Sequence, residues 1–149
     1  MGREDLELVD RFQASFLRAK DLKPALDDEG ALARLAEVVD AEAEIRFVTP
    51  DGSAFGAMSG PFQGVEGLRA GWREWLEPWE QFQIEFEQNL DVGDGRVLSL
   101  VQLRARMKGS AEILQQGASI TLVRDGLVVA VDFYVDQEHA RRDAGLAEG

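Results

Sequence analysis

The chain has 149 residues, enough for one domain to bury a single core without staples, and it carries no cysteine. The missing cysteine removes thiol nucleophiles, cysteine metal sites and disulfides together, and suits a reducing compartment. Sixteen basic against 28 acidic residues give a net charge of −12, which opposes binding to nucleic acid or an anionic membrane surface and serves solubility.

No charged-then-apolar leader opens the chain, and no apolar run approaches the roughly 18 residues of a membrane span. A soluble cytoplasmic protein of one domain, residues 1–149, is the expectation. In chain order, residues 3–21 place Leu8, Phe12, Phe16 and Leu17 at helical spacing, with acids early and bases late. Pro24, Asp27, Asp28 and Gly30 interrupt that helix. A second helix follows over residues 31–44, with Leu32, Leu35, Ala36 and Val39 on one face, and residues 44–48 (EIRFV) read as the first strand. Residues 49–64 are rich in glycine and hold two prolines, so they predict a surface loop with a short strand near Phe62.

Residues 65–80 space Leu68, Trp72, Trp75, Leu76 and Trp79 along a third helix, which Pro78 should end or kink. Four strands follow: FQIEFEQNLDV, RVLSLVQLRARMKG, EILQQGASITLVR and LVVAVDFYVD. The connectors GDG and RDG carry hairpin chemistry, so these strands form an antiparallel meander. Helix, helix, strand, helix and then a long curved sheet is an α+β arrangement with helices on one sheet face.

This order of elements, with FQGVEGLRAGWREWLEPWEQF, DGRVLSLVQLRARMKGS, LVRDGLVVAVDFYVDQEHA and the closing AGL, resembles the nuclear transport factor two-like superfamily, and within it the SnoaL-like branch, over about residues 5–147. The resemblance implies a cone: three helices of the N-terminal half packed in a curved, mixed, mostly antiparallel sheet, with a pocket open at one end. It also implies a homodimer through the outer sheet face. Members include ketosteroid isomerases, polyketide cyclases, limonene-epoxide hydrolases and scytalone dehydratases, and others only bind or scaffold. A fold of this kind hosts many sites, so each chemistry has to be tested at its own positions.

Ketosteroid isomerisation needs a general base and two neutral acids around an enolate oxygen. The resemblance puts the first-helix tyrosine at Phe12, the base near Phe47 and the protonated acid near Ala118 or Ser119. Phenyl rings neither accept that proton nor donate to an oxyanion. For the epoxide hydrolases, the bridging arginine falls at Val101 and the two acids at Leu103 and Phe133, and the cyclase acid falls at Phe133 as well. The dehydratase needs two histidines, and this chain has His139 alone. His139, among polar neighbours after the last strand, reads as a solvated residue at the start of a terminal helix rather than a base or metal ligand at the cone's rim. Asp27 with Asp28, and Asp91 with Asp94, lack the spaced pattern of a calcium loop. No metal and no cofactor is expected.

Alternation along a strand assigns its faces. On the last strand Leu127, Val129, Val131, Phe133 and Val135 are wholly apolar and point inward, while Val128, Ala130, Asp132, Tyr134 and Asp136 point outward. Leu98, Leu100, Ile120, Leu122, Val128 and Tyr134 then form an exposed patch suited to an isologous dimer, or are covered by the C-terminal segment of a monomer. On EILQQGASITLVR the inward set is Gln115, Gly117, Ser119, Thr121 and Val123.

The inferred pocket combines Phe12, Phe16, Phe47, Trp72, Trp75, Val101, Leu103 and Phe133 with Gln115, Ser119 and Thr121 for orientation. Such a wall suits a small, mostly apolar ligand, although aromatic residues at helical spacing also simply fill cores. Three functions stay open: a cone that binds a small apolar molecule; an isomerase, cyclase or hydrolase of a polyketide-, steroid- or terpenoid-like substrate using Glu87, Gln115 or Tyr134; and a non-catalytic dimeric scaffold. No catalytic residue is assigned.

Overall fold

The computed structural model describes residues 2–48 and 62–145. The predicted loop at 49–64 and the tail after Leu146 fall mostly outside them. Helix α1 (Gly2–Phe12) opens on Glu4 and Asp5 and closes on Arg11, in keeping with the helix dipole. The continuous first helix predicted to residue 21 is not formed. After Phe12 the backbone widens into a π-turn, Gln13–Leu17, closed by the Arg18 N–H on the Gln13 carbonyl at 3.1 Å. Widening lets Gln13, Ser15, Phe16 and Leu17 all be buried, more than one face of a regular helix offers. Asp21 caps the short α2 (Leu22–Ala25) on the Lys23 N–H, and Asp28 caps α3 (Glu29–Val38) on the N–H groups of Gly30 and Ala31.

Strand β1 (Val39–Val48) starts five residues earlier than the sequence suggested, so the second helix is shorter. Val39 and Ile45, both buried, pair in parallel with the last strand, and the register slips between Val39 and Glu44. That slip hides the period-2 pattern and leaves AEAE reading as helix. Strand β2 (Phe62–Gln63) lies antiparallel on β1 and leads into α4 (Gly64–Leu76). Helix α4 stops before Pro78, so Trp79 opens strand β3 (Trp79–Gly93) instead of extending the helical stripe.

The hairpins join β3 to β4 (Arg96–Met107), and β5 (Glu112–Arg124) to β6 (Leu127–Tyr134). At their tips Asp94 and Gly95 have φ 58° and 78°, and Asp125 and Gly126 have 55° and 76°, the mirror-image turn that matches strand twist. Helix α5 (Gln137–Asp143) follows, capped by Asp136 on the Glu138 N–H.

The six strands lie in the order β2-β1-β6-β5-β4-β3, antiparallel except for β1 beside β6. Register shifts in β3 near Trp79, Phe86 and Asp91 bend the sheet around the helices. The result is the nuclear transport factor two-like α+β cone. Its main core lies between the inner sheet face and α1 to α4, with Val9, Leu22, Ile45, Val97, Val128 and Val131 at 0% exposure.

Two expectations about the outer face change. The β5–β6 register passes from Leu122 opposite Ala130 to Val123 opposite Val128, so Val129 is an extra residue and Val128 turns inward. Leu98, Leu100, Ile120 and Tyr134 do point outward, yet they are buried in a second cluster that Ala140 and Ala144 of the C-terminal segment cover. Leu122 stays half-buried. No helix among the described residues is long and apolar enough to cross a membrane.

Candidate functional site

Parallel pairing of β1 and β6 puts Phe47 beside Phe133, with ring centroids 5.2 Å apart and planes 28° from parallel. Helix α4 reaches them because Gly71 faces β1: a Cβ there would stand 2.7 Å from Phe47 Cε1. Trp72 meets Phe47 and Phe133 edge-on, at 5.1 Å and 4.9 Å, and Trp75 stacks on Phe47 at 5.6 Å. Phe82 of β3 closes the group against both tryptophans, at 5.9 Å and 6.3 Å. Offset and edge-on contacts of this kind are the favourable ones for aromatic rings.

These rings pack against one another inside the cone. Beside them, walled also by Ile84, Phe86, Val101, Leu103, Ala118, Ser119, Tyr134 and Val135, lies a cavity with about 20 Å³ of room for the centres of water-sized molecules. Among the described residues its one ionisable wall residue is Tyr134. That phenol is turned to the outer face, where it donates to Asp143 Oδ2 of α5 at 2.8 Å. Burial raises its pKa above the ordinary 10.0, helped by the Asp143 and Asp132 carboxylates. No group among the described wall residues is set to exchange protons near neutral pH.

Of the residues inferred for the pocket, the structure gathers Phe47, Trp72, Trp75, Val101, Leu103, Ser119 and Phe133 around the cavity. Phe12 and Phe16 pack in the main core beneath α1, away from the lining. Gln115 spends its amide on the Val135 carbonyl at 2.7 Å. Thr121 is buried elsewhere on β5, its hydroxyl without a partner among the described residues. Sequence reasoning missed Phe82, Ile84 and Phe86 as wall residues, although their alternation on β3 carried the signal.

Asp132 points outward and holds Arg46 of β1 by two hydrogen bonds, at 2.8 Å and 3.0 Å. This pairing raises the Arg46 pKa further. His139 lies on α5, edge-on to Tyr134 at 5.2 Å and 3.6 Å from Asp143, and takes no part in the cavity wall. Asp27 pairs with Arg73 and Arg69 at 3.2 Å and 3.4 Å, which lowers its pKa, while Asp28 serves as a helix cap. Among the described residues no group of three or more His, Cys, Asp or Glu side chains is placed to hold a metal ion.

A buried polar network was not foreseen. The Gln13 amide donates to Ser99 Oγ at 2.9 Å and Asn89 Oδ1 at 3.1 Å, and accepts from Asn89 at 3.2 Å and Arg18 at 2.8 Å. It adjoins two wall residues without lining the cavity itself: the Arg18 guanidinium lies over the Phe86 ring at 5.7 Å, and Ser99 is opposite Ser119. Every amide hydrogen-bonding group of Gln13 is thus engaged inside the protein. The π-turn that aims Gln13 inward leaves no mark in a simple helical period.

No curated protein matches the sequence. Among solved structures, the chain is similar to an NTF2-like protein of unknown function from Burkholderia pseudomallei, at 13% identity and TM-score 0.65, covering 93% of this chain and 95% of that one. TerC, co-crystallised with polyporic acid, gives 13% and 0.66 with 95% and 98% covered. A putative SnoaL-like polyketide cyclase from Jannaschia gives 15% and 0.61 with 99% and 94% covered. At such identities these likenesses speak for the fold. Residues 27–131 match the SnoaL-like domain, so the chain belongs to the SnoaL-like domain family.

Proposed function

We propose that this protein binds a small, mostly apolar molecule in its cone cavity and carries out no acid–base chemistry on it. The observation that supports this reading is the wall itself: among the described residues it is aromatic and aliphatic, with one serine hydroxyl and no free ionisable side chain. An apolar cleft with few polar groups is the usual form of a small-molecule site. That TerC, of the same fold, was co-crystallised with polyporic acid is in keeping with a ligand-binding reading.

An isomerase, cyclase or hydrolase reading has the family's putative polyketide cyclase in its favour. Its unconventional candidates are committed or remote, however: Gln115 to Val135, Tyr134 to Asp143, and Glu87 exposed on β3. The scaffold reading draws on the filled cone. A homodimer through the outer face would have to use the surface that α5 leaves open, and light scattering over a concentration series tests it.

The direct test of binding is a panel of terpenoid, steroid and polyketide-like compounds, graded in size and followed by thermal shift and tryptophan fluorescence. Trp72 and Trp75 line the cavity, so an occupant should raise the melting temperature and change the emission together. Unchanged signals across the whole panel would count against the proposal. Conversion of a bound compound would transfer support to the enzymatic reading.

A further inference from the structure

We infer that the occupant of this cavity is a compact, uncharged molecule bearing a hydrogen-bond acceptor, and that the Trp72 indole N–H is the donor that receives it; this rests on the cavity being a ligand site. Trp72 is 2% exposed and lines the cavity, and its Nε1 is buried with no acceptor among the described residues. An indole nitrogen only donates, so nothing but an acceptor satisfies it. Buried indole N–H groups ordinarily have a partner, and one left unpaired loses what water would have given it.

The charge of the molecule follows from the wall. Among the described residues the lining itself holds no cation for an anionic ligand and no free carboxylate for a cationic one, and Arg18, over the Phe86 ring, is already paired with Asp10 at 2.7 Å. An ion entering would give up its hydration without return. A ketone, aldehyde, ether or ester oxygen gives the indole its acceptor at far lower desolvation cost, and Ser119 adds a hydroxyl at the same cavity.

The size follows from the void. A compact cavity with about 20 Å³ for water centres has a radius of about 3 Å once the water radius is added, which suits about six non-hydrogen atoms. Fused ring systems exceed that volume. Trp72 therefore sets specificity for one acceptor on a small carbon frame.

Cyclopentanone and methylenecyclopentane separate the acceptor from the frame, since both have the same ring and differ in C=O against C=CH₂. Both are titrated into ¹⁵N-labelled protein, following the indole N–H signals of its three tryptophans, assigned with the W72F, W75F and W79F variants. The expected result is binding of both, with the Trp72 indole proton moving downfield only with the ketone. Substituting W72F should lower the ratio of ketone to hydrocarbon affinity about tenfold. If W72F fails to fold, the wild-type signals decide alone, with the remaining two assigned from the other variants. Equal movement of the Trp72 signal with both compounds, or an unchanged affinity ratio, overturns the inference and leaves the cavity reading intact. Failure of both small compounds while larger panel members bind also overturns the inference alone. Failure of both small compounds and of every compound in the panel overturns both.

Discussion

Neighbouring residues of β6 meet opposite worlds. Phe133 enters a cluster of Phe47, Trp72 and the cavity wall, while Asp132 and Tyr134 on either side of it reach outward to Arg46 and Asp143. On the outer face the ionisable groups have partners that do structural work: Asp132 ties β6 to β1, and Tyr134 ties the sheet to α5. Among the described residues that line the cavity, Tyr134 apart, none is ionisable. Acids near an apolar strand are thus part of the frame here, and the interior is left to shape, aromatic surface and the Trp72 indole.

The largest effect should come from moving a charge across that divide. Phe133 is 9% exposed, and Phe133→Asp would bury an unpaired carboxylate among rings. We expect a loss of about 3–5 kcal/mol at neutral pH, read by chemical denaturation. Burial would raise the folded-state pKa of the new carboxyl. The loss attributable to charge should accordingly be small below about pH 4 and grow as pH rises from there towards the raised value. A variant as stable as the parent at pH 7 would mean that the interior is wetter than its wall implies.

On the outer face, Leu98→Ala opens a hole under α5, where Leu98 is fully buried. A loss of about 2–4 kcal/mol is expected, and a surface-like change would show that α5 does not cover this patch in solution. Tyr134→Phe removes the hydrogen bond to Asp143 and should cost about 1 kcal/mol. Because Tyr134 is the chain's one tyrosine, its ultraviolet titration is unambiguous. With a raised folded-state pKa its stabilisation is complete below about pH 10 and is lost above it, so the midpoint should lie above the ordinary value.

The smallest effect belongs to Asp132→Ala. The pair with Arg46 is well formed, but the arginine side chain is 56% exposed, so about 1 kcal/mol or less is expected, and less still at high salt. A loss of several kcal/mol would place Asp132 inside the cone and reverse the comparison.

Most of the fold was legible in the sequence because hairpin turns and alternation are local signals. Asp94-Gly95 and Asp125-Gly126 set the meander, and parity placed Val101, Leu103, Ser119 and Phe133 on the inner face. What failed depended on irregularities that a fixed period does not register. The slip in β1 disguised its first half as helix, the extra Val129 turned Val128 inward, and the π-turn brought Gln13 into a network with Asn89 and Ser99. The site was half legible for the same reason. Phe12 and Phe16 share the helical stripe, but distance along the cone, which parity does not encode, keeps them from the cavity.

The central claim is that the interior recognises a neutral molecule without a titrating group. It is tested most directly by the affinity of the strongest ligand from the panel, measured by tryptophan fluorescence from pH 5 to pH 9. The account predicts saturable binding whose dissociation constant stays within about twofold over that range, since no wall side chain changes charge there. A change of about tenfold or more across a single midpoint would reveal an ionisable group in the site and contradict it.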